Sequence, residues 1–60
     1  MIKIDDIIRD HIIGGSFRVF DIQNGKALAY SISGGGLFAF PTHRLVLVKQ
    51  NPSVSIWAKD

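Results

Sequence analysis

The side chains that could carry acid–base or metal chemistry near neutral pH are two histidines, His11 and His43, and five aspartates, Asp5, Asp6, Asp10, Asp21 and Asp60; there is no glutamate and no cysteine. Catalysis with such groups needs a nucleophile beside a base, two positioned carboxylates or a bound metal. None of these spacings is present. His11 falls on the apolar side of an amphipathic stretch, which predicts a packed or interface histidine, and His43 sits in an exposed Pro-Thr-His-Arg bend. Asp5, Asp6 and Asp10 fall together on the polar side of the same stretch, as solvated carboxylates do. Asp21 lies near a turn, within diagonal reach of Lys26. Without thiolates or a histidine–carboxylate spacing no metal site is expected. The chain reads as a non-enzyme that carries no cofactor.

Gly34-Gly35-Gly36 could cradle a phosphate only if a helix N-terminus followed. A strand-like run, Leu37 to Phe40, follows instead, so the glycines predict a turn and no nucleotide fold.

Recognition chemistry remains. The candidate partner-binding residues are the aromatics Phe20, Phe38, Phe40 and Trp57 and the cations Arg18, Lys26, Arg44 and Lys49. Rings stack on bases and cations attract phosphates, which describes a small RNA- or DNA-binding module. The same rings could fill a core or a subunit interface, and tryptophan is enriched at protein-binding hot spots. Charge is unevenly placed. Residues 1–21 hold three cations against four aspartates, net −1, whereas residues 22–60 hold Lys26, Arg44, Lys49 and Lys59 against Asp60 alone, net +3. That excess fits weak attraction to phosphates or acidic partners and falls short of a nucleic-acid footprint.

The elements that must position these groups centre on Phe17 to Ser33. Two strand-forming runs flank Asn24-Gly25, a strong signal for a two-residue hairpin turn. That turn places Gln23 opposite Lys26, Ile22 opposite Ala27, Val19 opposite Tyr30 and Phe17 opposite Ile32. Phe17, Val19, Leu28, Tyr30 and Ile32 then share one face, and Arg18, Phe20, Ile22, Ala27, Ala29 and Ser31 the other. Upstream, Ile4, Ile7, Ile8, His11 and Ile12 recur at helical spacing, with Asp5 as a cap and Gly14-Gly15 as a stop, so a short N-terminal helix is expected. Downstream, strands are expected over Leu37 to Phe40, Arg44 to Gln50 and Val54 to Ala58, broken by Pro41 and by Asn51-Pro52-Ser53.

The sum is a single domain over residues 1–60 of mainly β (α+β) class. A short N-terminal helix precedes a five-stranded antiparallel meander, forming a small SH3-like or Sm-like barrel or a curled sheet. This order of elements, with Asn-Gly near the first strands, is loosely similar to the Sm and Hfq family, whose subunits form rings that bind RNA; no residue carries over from that likeness.

Sixty residues that are 47% hydrophobic give a thin core and more apolar surface than one copy can hide. A homo-oligomer is therefore expected, a dimer being the simplest form. No signal peptide and no run of about 20 apolar residues is present, which makes the cytoplasm the default location and membrane insertion unexpected. The functional expectation is a binding module acting through protein–protein contacts, such as a phage or plasmid regulator, with nucleic-acid binding as the alternative.

Overall fold

Strand-forming sequence dominates from end to end, and the computed structural model, which describes residues 1–60, is correspondingly a single six-stranded sheet. Its strands are β1 (Ile7–Arg9), β2 (Ser16–Gln23), β3 (Lys26–Ser31), β4 (Leu37–Pro41), β5 (Leu45–Gln50) and β6 (Ser55–Lys59); a 3-10 turn over Thr42–Arg44 joins β4 to β5. The spatial order is β4-β3-β2-β1-β6-β5. Four neighbour pairs are antiparallel, while β1 and β6 run parallel, Ile8 beside Trp57. The crossover that parallel pairing requires is the whole β2–β5 meander.

Three expectations are overturned. There is no N-terminal helix, since residues of the predicted helix form β1 and the turns on either side of it. The sheet is mixed and six-stranded instead of a five-stranded antiparallel meander. It is also open, with β4 and β5 as free edges, and so does not close into a barrel. No helix is long and apolar enough to cross a membrane.

The physical reason for the first correction lies in the isoleucines and in Asp5. β-Branched side chains favour a pleated surface over a helix. Asp5 adopts φ 78°, outside the right-handed helical region, and its N–H donates to the Val19 carbonyl at 2.8 Å while the Asp6 carbonyl accepts the Val19 N–H at 2.9 Å. The segment is thereby stitched to β2. Burial alternates with period two: Asp6, Ile8 and Asp10 are buried, whereas Ile4 and Ile12, assigned above to the apolar helix face, are 56% and 76% exposed.

The Asn24-Gly25 turn sits where expected, with Gln23 opposite Lys26 and Ile22 opposite Ala27. Beyond it the register slips by one residue at a bulge between Val19 and Asp21, so Val19 faces Ala29 and Phe17 faces Ser31. A one-residue slip moves a strand's side chains to the other face. Phe17 and Val19 consequently share the inner face with Ala27 and Ala29, and Leu28 and Tyr30 turn outward. The core comprises Ile2, Ile8, Phe17, Val19, Ala27, Ala29, Phe40 and Leu45, with Phe38 and Trp57 packed against it.

Gly25 holds φ 73° in the turn, with no atom within 4 Å of a built Cβ. Gly25→Ala therefore meets a backbone cost and no clash; we expect a loss of about 1 kcal/mol in chemical denaturation with the fold retained.

Candidate functional site

Buried polar groups locate the built chemistry of this molecule. Asp6 is 1% exposed, and its carboxylate accepts three hydrogen bonds: from the Lys3 N–H at 2.9 Å, the Ser55 N–H at 3.0 Å and the Trp57 Nε1–H at 3.0 Å. Burial by itself raises the carboxyl's pKa, but the bonds from Ser55, Lys3 and Trp57, with the nearby Lys3 charge, outweigh it and hold Asp6 below the ordinary carboxylate value. Asp6 thus ties the start of the chain to β6.

Asp10 is equally buried. Its Oδ1 accepts the N–H groups of Ile12 at 2.8 Å and Ile13 at 3.3 Å, closing the loop before β2, while its Oδ2 is enclosed without a partner. Asp10, Arg9, His11 and Ser16 border a shallow cavity of about 350 Å³. Through Oδ1, Asp10 fixes its own loop. The expectation that Asp6 and Asp10 are solvated is overturned, because the strand period buries what the helical period exposes. His11 is exposed in this loop rather than packed, and His43 is exposed in the 3-10 turn; neither makes a side-chain hydrogen bond. Asp21 bonds the Ile22 N–H at 2.8 Å and Gln23 Nε2 at 2.7 Å, not Lys26. No three histidine or acidic side chains cluster as a metal site.

The eight candidate binding residues divide between core, outer face and edge. Phe40 is 2% exposed and lies 5.2 Å, ring to ring, from Phe17; Phe38 is half-buried, 4.9 Å from Phe17. Both line the core. Trp57 is half-buried and held by Asp6. Phe20, by contrast, faces outward with Arg18 and, with the register slipped, stacks on Tyr30 at 6.2 Å, with the ring planes 29° apart. Beside it on the outer face, Arg18 is paired with Asp5 at 3.2 Å. Lys26 flanks the hairpin turn opposite Pro41, and Arg44 and Lys49 lie at the two ends of the β5 segment. The cations are therefore dispersed and form no continuous stripe alongside the aromatics.

What sequence reasoning missed is the outer face itself. Tyr30 stands opposite Arg18 on β2 and Leu37 on β4, and Leu37 is 72% exposed. The alanines offered the one available signal. In Ala27-Leu28-Ala29-Tyr30 two positions are small and two are large, so burying the small pair leaves the large pair outside. No family model, no curated protein and no solved structure matches this chain.

Proposed function

We propose that this chain is a small cytoplasmic, non-enzymatic binding module that self-associates through the outer face of β2, β3 and β4. One observation carries the reading. Strand β3 buries Ala27 and Ala29 completely and presents Leu28 and Tyr30 outward, so its small side chains face the core and its large ones face away. Phe20, Tyr30 and Leu37 form the exposed centre of that face, and contiguous apolar surface of this kind marks contact sites. Twelve large hydrophobic residues are exposed, against eight hydrophobic residues buried in the core, so covering part of the first group enlarges what holds the fold together.

A second copy is the partner that the charges permit. Arg18 is matched by Asp5, and the Asp21 carboxylate is engaged by Gln23 and its neighbouring amide, which leaves Lys26, at the turn end of β3, as the one unmatched charge of β2–β4, so two such faces meet without a row of like charges. Nucleic acid fits less well, because the cation beside Phe20 and Tyr30, Arg18, is already paired, and the other cation of the face, Lys26, stands at the far end of β3.

The test is native mass by size exclusion with light scattering. Wild-type protein is expected to run as an oligomer, and Tyr30→Ser with Leu37→Ser is expected to shift it to monomer with its circular dichroism unchanged. A wild-type monomer over the accessible concentration range refutes the reading. Mass gained from an added RNA and DNA pool at low salt refutes it in favour of nucleic-acid binding.

A further inference from the structure

The free edge of β5 differs in character from the outer face of β2–β4. Val46, Leu47 and Val48 are 52%, 47% and 59% exposed, and no strand lies beyond them. Ladder phase shows which backbone groups are free. The Asp60 N–H donates to the Arg44 carbonyl at 2.6 Å, and the Asn51 N–H to the Val54 carbonyl at 3.0 Å. Bonded and non-bonded residues alternate along an antiparallel pair. Counting inward from either end, Val46 and Lys49 direct their amides and carbonyls at β6, while Leu47 and Gln50 direct theirs outward; the two phases meet in the irregularity between Leu47 and Lys49.

The side chains along this edge are sorted by face. Leu47 pairs with Trp57 on the inner side, where Met1, Lys3, Leu47, Gln50, Ser55 and Trp57 enclose a cavity of about 380 Å³. Val46 pairs with Ala58 and Lys49 with Ile56 on the outer side, and Arg44, exposed at the end of the 3-10 turn, immediately precedes the strand. Residues 22–59 contain no acidic side chain, so Arg44 and Lys49 have no carboxylate neighbour within the hairpin except at Asp60.

From this arrangement we infer that the β5 edge receives an extended segment of another protein in which apolar and acidic residues alternate. Strand addition uses main-chain hydrogen bonds for affinity and side-chain pockets at every second position for selectivity. Here the incoming backbone bonds to Leu47 and Gln50. Its apolar side chains enter the cavity beside Leu47 and Trp57, and its carboxylates meet Lys49 on the outer side and Arg44 where the strand begins. A second copy is disfavoured at this edge, because antiparallel pairing of two β5 strands brings two copies of Lys49 and of the preceding Arg44 together with only Asp60 of each hairpin to offset them. The inference deepens the reading of the chain as a protein-binding module, but it uses a separate surface.

The experiment uses the full chain, 15N-labelled, with two short blocked peptides: one alternating valine with glutamate, the other valine with lysine. The glutamate peptide is expected to slow amide exchange at Leu47 and Gln50 by about tenfold or more, and the lysine peptide to leave it unchanged. Arg44→Glu with Lys49→Glu is expected to reverse that preference. Equal effects of both peptides, or none, reduce β5 to a protected edge and overturn the inference. Protection of Leu47 and Gln50 that grows with protein concentration, without peptide, assigns the edge to a second copy and overturns it as well. Repeating the titration on the Tyr30→Ser, Leu37→Ser protein separates the two surfaces: peptide protection persists there whether or not self-association is lost.

Discussion

Asp6→Ala is expected to destabilise the protein by about 3–4 kcal/mol, enough to leave much of it unfolded at room temperature. Hydrogen bonds to a charged group contribute roughly 1.5–3 kcal/mol each, and donors left unsatisfied on burial add their desolvation cost. Asp6 accepts three, from Lys3, Ser55 and Trp57. The Trp57 indole is half-buried and recovers part of its loss from water, so the sum stays below three full bonds. A chain of this length has a total stability of roughly 3–9 kcal/mol, and the single substitution removes a large share of it. Asp6→Asn separates charge from shape. Whichever way its amide is turned, an NH2 group replaces one accepting oxygen and confronts a donor, so the near-isosteric change is also costly, at about 2–3 kcal/mol. Urea denaturation of the three proteins measures this ranking. An asparagine variant as stable as wild type would show that the carboxylate is dispensable.

The same site sets an acid limit. The folded pKa of Asp6 lies below its unfolded value of 3.8. Its ionisation therefore stabilises the fold fully above the unfolded value, and that contribution is lost as pH falls through 3.8 towards the folded pKa. Comparing denaturation midpoints at about pH 7 and about pH 3, wild type should lose stability that Asp6→Asn, with no proton to take up there, does not lose.

Neither the role of Asp6 nor the parallel strand pair was legible in the sequence, for related reasons. Ile4, Ile7, Ile8 and Ile12 satisfy a helical period, and Asp6, Ile8 and Asp10 satisfy a strand period in the same residues. Hydrophobicity alone selects the first, because a buried aspartate counts against a strand's inner face until its donors are known. Two of those donors, Ser55 and Trp57, lie almost the full chain length away. The Asn24-Gly25 turn, by contrast, is a local preference for positive φ, and both residues show it, at 51° and 73°. Its register failed only where a bulge intervened, and a bulge has no firm sequence signature when the bulged residue, Phe20, is a good strand former. The candidate surface inherited that error. The unslipped register groups Tyr30 with Phe17 and Val19, and the Leu28–Tyr30 row is an outer face only in the slipped one.

Phe17 and Tyr30 provide the sharpest check on that slip. In an unbulged hairpin the two rings lie on one face; in this structure Phe17 is 1% exposed and Tyr30 39%. Phe17 sits edge-on to Phe38 and Phe40, at 71° and 60°, over a floor made small by Ala27 and Ala29. Ala27 and Ala29 are too short to fill the space that Phe17→Ala would open, and the Phe38 and Phe40 rings could fill it only by leaving their own places on β4. We expect a loss of about 3–5 kcal/mol and a largely unfolded protein, with Phe17→Leu retaining the fold at a cost of about 1 kcal/mol. Tyr30→Ser removes a ring of similar size from the same hairpin, yet should leave the thermal midpoint of the monomer nearly unchanged and act on association instead. If both substitutions unfold the chain alike, the two rings share one core, the register is unbulged, and the outer face on which self-association rests does not exist. Opposite outcomes, unfolding from one ring and loss of mass from the other, follow only if the slip at Phe20 divides the aromatics between fold and partner.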